Sequence, residues 1–242
     1  MMNPTKIFSV FLIFLWLWVP SVGAEVHQVD SNFDGKMDQW HHTKPDGKIF
    51  KIEHDSNHDG RVDQVEHFQG HKILAKAEFD ANKDGKMDQI QYYSGKGKLI
   101  RIEKDSKLNG RFDRKEFFNA SELIIKVEID ENGNGQANIR EFFDGRQNLE
   151  RIEYDTDHNG KVDRWDYFEN KKIQKVAFDT NGNQKADEWQ FFQGSNVLAK
   201  VENDTNHDGK VDRWEHFDRQ GKPTRTEFDR NFDGKIDIVN KK

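Results

Sequence analysis

The chain of 242 residues has no cysteine and only four prolines. Without a thiol there is no disulfide framework, thiolate metal site, cysteine nucleophile or lipid-modified N-terminal cysteine. An excess of basic residues is also missing. Lys and Arg number 38 against 44 Asp and Glu, a net charge of −6, which argues against a broad nucleic-acid-binding surface. Hydrophobic residues make up only 33%, against 34% charged. That balance suits a disordered chain, but 19 Phe are too many for a solvated tail.

One long apolar run exists, from Ile7 to Val19, interrupted only by Ser9. It is shorter than the roughly 20 residues that span a bilayer. Lys6 precedes it, Pro20 ends it, and Val22-Gly23-Ala24 offers small residues for a peptidase. Residues 1–24 therefore read as a signal peptide, with cleavage before Glu25; an uncleaved membrane anchor is the alternative. The implied destination is the periplasm, the cell surface or the medium, with no membrane span left after cleavage.

The remainder, 25–242, is periodic. Asp30, Asp55, Asp80, Asp105, Asp130, Asp155, Asp179, Asp204 and Asp229 open related segments at intervals of 25 residues, with one of 24 after Asp155. A fixed period of this length indicates a single array of nine repeats. Each opening Asp is position 1 of its repeat, and residues before it are counted back as −1, −2 and so on.

The run before each Asp alternates. Lys or Arg stands at −4 (Lys51, Lys126, Arg225), Glu at −2 (Glu53, Glu128, Glu227), and mostly apolar residues between them (Ile52, Val127, Val201). A second alternating run follows each loop. Position 11 is often Trp, Val or Ile, and position 14 is mostly Phe or Tyr. Period-2 patterning predicts two strands per repeat and an all-β antiparallel meander, extended or curled. Charge predicts the register: with position 12 opposite the next −4 residue, Glu66 faces Lys76, Glu116 faces Lys126 and Arg114 faces Glu128. Such a sheet has one aromatic face, which it must bury by curling, closing or docking.

The loops follow the pattern Asp-x-Asn-x-Asp-Gly-x-x-Asp. Oxygen side chains at 1, 3, 5 and 9, with Gly at 6, are what a twelve-residue calcium loop requires, together with an acidic ligand at 12. The predicted metal ligands are Asp30, Asn32, Asp34 and Asp38; Asp55, Asn57, Asp59, Asp63 and Glu66; and Asp80, Asn82, Asp84 and Asp88. The second half of the array adds Asp155, Asp157, Asn159, Asp163 and Asp166; Asp204, Asn206, Asp208, Asp212 and Glu215; and Asp229, Asn231, Asp233 and Asp237. Three loops read as degenerate: Lys107 replaces a ligand, Asn132, Asn134 and Asn138 carry no charge, and Gln184 replaces the glycine. The competing reading is a metal-free turn, because Asn-Gly and Asp-Gly are strong turn formers and Asx side chains bond their own backbone. The acidic residue at 12 has two claimants as well, an ion or a cation on the next strand.

The segment Asp155-Thr156-Asp157-His158-Asn159-Gly160-Lys161-Val162-Asp163-Arg164-Trp165-Asp166 resembles an EF-hand calcium loop. The flanks lack room for EF-hand helices, so the loops are more similar to those of dockerin and thrombospondin type 3 repeats. That resemblance implies structurally bound Ca2+, several ions per chain. The strand-turn-strand units also resemble, more weakly, bacterial MORN-type β-hairpin repeats.

Trp40, Trp165, Trp189 and Trp214 all occupy position 11, as a ladder filling the sheet's own face or as a platform for sugar rings. His41, His42, His54, His58, His67 and His71 crowd one region, which suits scattered solvated histidines better than a transition-metal site. No Gly-x-Ser-x-Gly element is present, and every carboxylate has copies elsewhere, so the sequence does not read as an enzyme. The functional expectation is an exported, calcium-binding repeat scaffold, structural or adhesive. The alternative is a module that binds a cell-surface glycan or protein through its aromatic face, with metal-free loops.

Overall fold

The computed structural model describes residues 24–70, 72–194 and 196–242, so the predicted signal peptide lies almost wholly outside it. Eighteen strands, β1 (Glu25–Val29) to β18 (Ile238–Lys241), form one antiparallel meander in which each strand pairs with its chain neighbours. No helix occurs among the described residues. The sheet is not closed: β1 pairs only with β2 (Gln39–Thr43), and β18 only with β17 (Pro223–Phe228).

The register differs from the one that charge predicts. Position 13, not 12, stands opposite −4: in β4 (Gln64–Gln69) and β5 (Ile73–Phe79), His67 faces Lys76 and Glu66 faces Ala77. Likewise Phe117 faces Lys126, Glu116 faces Val127, and Arg114 faces Ile129. The cause is a bulge that recurs in all eight hairpins closed by a short turn. Phe68 pairs with Leu74 and His67 with Lys76, so Ala75 is left unpaired. The charge-derived register holds next to the turn and slips by one residue beyond the bulge, which moves each partner to the other face.

This slip changes the character of both faces. One face carries positions 11, 13, −2 and −4, and the other carries 10, 12, −1 and −3. On the first, rings alternate across strands with cations. Arg101 lies 4.1 Å from the centre of the Tyr92 ring, Lys126 4.2 Å from Phe117, Arg151 4.4 Å from Phe142, Lys175 4.2 Å from Tyr167 and Lys200 4.6 Å from Phe191. The same cations reach along their own strand to the Glu at −2, as in Lys126–Glu128 at 2.8 Å and Lys200–Glu202 at 2.6 Å. On the second face, mostly acids and amides at 12 stand opposite mostly apolar residues at −3, as Glu66 opposite Ala77 and Glu116 opposite Val127. The predicted cross-strand ion pairs thus give way to pairs within a strand, two residues apart, and to different cross-strand pairs such as His67–Glu78 at 2.8 Å and Lys104–Glu116 at 3.0 Å.

Neither face is a continuous apolar surface, so neither has to be covered. Each strand touches only the strands before and after it, and the sheet is a single layer. Fully buried apolar side chains are few: Ala77, Val127, Val176 and Ala177. Cohesion comes from the hydrogen-bond ladder and from cross-strand pairs worth roughly 0.2–1 kcal/mol each. The ion pairs also leave a titration signature. Burial raises the Glu53, Glu78 and Glu116 carboxyls, but hydrogen bonds from Lys51 and His42, from Lys76 and His67, and from Arg114 and Lys104 outweigh it and hold all three below the usual range.

The absence of native cysteine makes the register directly testable. Phe117→Cys with Lys126→Cys places two thiols opposite each other on one face and is expected to give an oxidised disulfide on hydrogen-bonded or non-hydrogen-bonded spacing of about 4.5–5.5 Å. Glu116→Cys with Lys126→Cys puts the thiols on opposite faces and is expected to stay reduced. Mass spectrometry after mild oxidation reads both, and the reverse pattern would contradict the register.

Candidate metal centres in a row of loops

Every Asp loop joins an odd-numbered strand to the next even one, so all nine lie along one edge of the sheet. Successive loops are two strands apart, about 9–10 Å. Each loop closes on two backbone bonds. Asp63 N donates to His54 O at 2.8 Å across the loop mouth, and Asp80 N donates to Asp63 O at 2.9 Å, tying one loop to the next.

Within the loop, carboxylates take the place that backbone carbonyls hold elsewhere in the fold. The opening Asp accepts the amide of position 5 on Oδ1 and that of position 6 on Oδ2, in all nine repeats. Position 9 accepts the amide of position 2, also in all nine. Position 5 turns back onto the amide of position 7, as in Asp59 Oδ1 at 2.9 Å from Arg61 N. Most of the first and ninth side chains are buried, Asp55 at 4% exposure and Asp212 at 5%. Position 4 adopts a left-handed backbone even in His58, Lys83 and His158, and position 6 does so in every loop, including Gln184 at φ 69°. The replacement of glycine by Gln184 thus keeps the turn and bears its strain.

The predicted ligands separate into three groups. In one loop positions 1, 3 and 9 converge: Asp155, Asp157 and Asp163 bring one carboxylate oxygen each within 4.8 Å of one another. The corresponding residues are Asp30, Asn32 and Asp38; Asp55, Asn57 and Asp63; Asp80, Asn82 and Asp88; Asp204, Asn206 and Asp212; and Asp229, Asn231 and Asp237. Position 5 (Asp34, Asp59, Asp84, Asn159, Asp208, Asp233) lies in the exposed bend, hydrogen-bonded to its own backbone. Position 12 is outside the loop altogether, on the sheet face. Glu66 accepts from Gln64 at 2.9 Å, Asp166 takes Arg164 on both oxygens at 2.7 and 2.8 Å, and Glu215 pairs with Arg213. At position 12 these acids pair with the residue two before them on their own strand, and Glu66 and Glu116 also face His54 at 3.7 Å and Lys104 at 3.0 Å on the neighbouring strand.

The electrostatics of the loops are uneven. Burial raises the Asp38 carboxyl, but the Ser31 amide and hydroxyl, with His58 nearby, hold it below the usual range. Asp34 is held low by the Lys36 amide and the Asn32 side chain. Lys107, which occupies a ligand position, places its ammonium 3.9 Å from Asp113 and donates to the Glu131 carbonyl at 2.6 Å. That loop carries its own cation. Histidines at position 4 reach back to the preceding loop, His58 to Asp38 at 3.8 Å and His207 to Asp187 at 3.4 Å.

One recurring group escaped the sequence reading. Ser31, Ser56, Ser106, Thr156, Thr180 and Thr205, all at position 2, donate their hydroxyls to the carboxylate at position 9. The signal was present as a Ser or Thr directly after the opening Asp.

No known protein family matches the chain, and no curated protein matches it. Among solved structures, the TcdB2-TccC3-Cdc42 complex is similar over 84% of this chain and 12% of that chain, with 10% identity and a TM-score of 0.24. The Photorhabdus luminescens Tc holotoxin pore is similar over 80% and 13%, with 11% identity and a TM-score of 0.21. A porin-like protein from Bacteroides uniformis is similar over 89% and 92%, with 8% identity and a TM-score of 0.20. The chain therefore spans only a small part of the toxin chains, and similarity at this level carries no weight for function.

The hydrogen-bond frame is common to all nine loops, including those with poor ligand sets, so its contribution can be measured without any ion. Asp105→Ala removes the acceptor of the Asn109 and Gly110 amides in the loop that carries Lys107. The expected cost is about 1–3 kcal/mol in urea unfolding, with faster hydrogen exchange at these two amides. Unchanged stability would contradict the role assigned to the opening Asp.

Proposed function

We infer that the protein is an exported scaffold whose loop row binds several calcium ions. The supporting observation is the convergence of Asp155, Asp157 and Asp163, three acidic oxygens within 4.8 Å with no Lys or Arg paired to any of the three among the described residues. The donor set is all oxygen, carboxylate and amide, which suits a hard cation. Calcium takes such ligands at about 2.3–2.6 Å, whereas magnesium keeps more of its water. The Asp105 loop supports the same reading by contrast, since there a lysine supplies the positive charge beside Asp113. Ion binding would hold positions 1, 3 and 9 together and so fix the strands on either side. The role follows from the architecture: a single-layer ribbon with ordered edges offers length and surface rather than a catalytic cleft. Export rests on the sequence of residues 1–24 alone.

A second reading is favoured by one specific observation. The backbone frame of the loops is the same whether the ligand set is complete or not, as it is in the Asp130 loop, where Asn132, Asn134 and Asn138 replace the acids. The loops would then be metal-free turns and the scaffold would stand on hydrogen bonds alone.

Asp155→Asn with Asp157→Asn separates the two. Asn retains the oxygen that accepts backbone amides but removes the charge. Calorimetric titration of residues 25–242 with calcium is expected to show several ions in the parent and one fewer in the variant, with the melting temperature in chelator little changed. Absence of binding heat up to about 10 mM calcium, beyond the range of extracellular sites, together with an unchanged melting temperature, would overturn the calcium reading.

A further inference from the structure

The ring-bearing face has one stretch that departs from the rest. Across β12 (Arg164–Glu169), β13 (Lys172–Phe178), β14 (Glu188–Gln193), β15 (Val197–Asn203) and β16 (Arg213–Phe217), one row runs Trp165, Ala177, Trp189, Glu202, Trp214. Directly opposed residues share a face, so the three indoles lie on the same side of the sheet, two strands or about 9–10 Å apart. In the preceding repeats this row holds Trp40 and then Val65, Ile90, Lys115 and Arg140, so no other Trp neighbours the three. Ala177 is a second departure, because the −2 position is otherwise Glu in seven of the repeats.

Two independent features single out these indoles. The neighbouring row of rings is already engaged, with Lys175 on Tyr167 and Lys200 on Phe191. None of the Trp rings takes part in a cation–π or ring–ring contact among the described residues. Secondly, Trp189 lines a cleft of about 270 Å3 whose other walls include Asn183, Lys185, Asp204 and His207, a ring platform with polar groups at its rim.

We propose that this row is a binding site for an extended, neutral, β-linked oligosaccharide lying across the strands. The inference goes beyond the calcium scaffold and does not depend on filled loops. The interval between indoles suits stacking of alternate sugar rings along an extended chain. Glu202, which breaks the row, is paired with Lys200 at 2.6 Å, and a flat protein interface over the row would have to desolvate that ion pair, which argues against a protein partner. A sugar turns its apolar ring face to an indole and its hydroxyl edge to such charges. The net charge of −6 disfavours a polyanion.

The test uses cellohexaose and chitohexaose as probes on residues 25–242, in calcium buffer and again in chelator, followed by tryptophan fluorescence and calorimetry. At least one hexasaccharide is expected to bind about tenfold more tightly than its disaccharide, because only the longer chain spans two or three indoles. Trp189→Ala and Trp214→Ala are each expected to weaken binding about tenfold or more, and Trp40→Ala, at the far end of the array, to leave it within about twofold. Circular dichroism checks the fold. If Trp189→Ala misfolds, Trp189→Phe keeps a smaller ring and is expected to bind several-fold more weakly. Absence of binding by both hexasaccharides at millimolar concentration, or a folded Trp189 variant that binds as tightly as the parent, would overturn the proposal. Loss of binding in chelator alone would overturn its independence from the loops.

Discussion

A sheet of one layer cannot fix its strands by packing them against a second, so some other constraint must set their spacing and register. Here it is the pair of side chains at positions 1 and 9 of every loop. The first accepts two amides of the bend, and the ninth accepts the amide of position 2. Together they close a nine-residue excursion through hydrogen bonds to charged acceptors, worth about 1.5–3 kcal/mol each. Both groups are anionic and mostly buried, so the fold concentrates negative charge along one edge. The calcium ions proposed above would sit along that edge, where in one loop Lys107 already places a positive charge beside Asp113.

The rest of the architecture follows from the bulge. It places rings opposite cations on one face and mostly acids and amides opposite mostly apolar residues on the other. Neither surface is greasy enough to collapse onto a partner, and neither is polar enough to leave the strands without cross-strand contact. The high charge and high aromatic content of the composition are therefore one feature. A ring such as Phe142 is covered by the stem and guanidinium of Arg151, which in turn pairs with Glu153 on its own strand.

Much of this was legible in the sequence. The period, the alternation at −4 to −2 and the Asp-Gly loops give eighteen strands, their antiparallel order and one edge of loops. The register was not legible, because the bulge offsets the strands by one residue and the unpaired residue that makes it, such as Ala75, Ile100 or Thr224, has no common chemistry. The convergence of Asp155, Asp157 and Asp163 is where one loop's pattern and its geometry coincide. The orientation of Asp166 and Glu215 away from the loops departs from the pattern, since it depends on the strand starting at position 10 and on Arg164 and Arg213 standing there. Ser and Thr at position 2 were visible but look like ordinary turn residues until their hydroxyls are placed.

In the proposed function, calcium orders the loop edge and leaves the turn edge untouched. Hydrogen-exchange mass spectrometry of residues 25–242, with calcium and with chelator, measures the two edges in one experiment. Calcium should raise protection in the Asp loops, most strongly around Asp155–Asp163, while the short turns such as Lys44–Lys48 and Asn119–Leu123 exchange at the same rate in both. Equal exchange of the loops in both conditions, or a gain spread evenly over loops and turns, would contradict it.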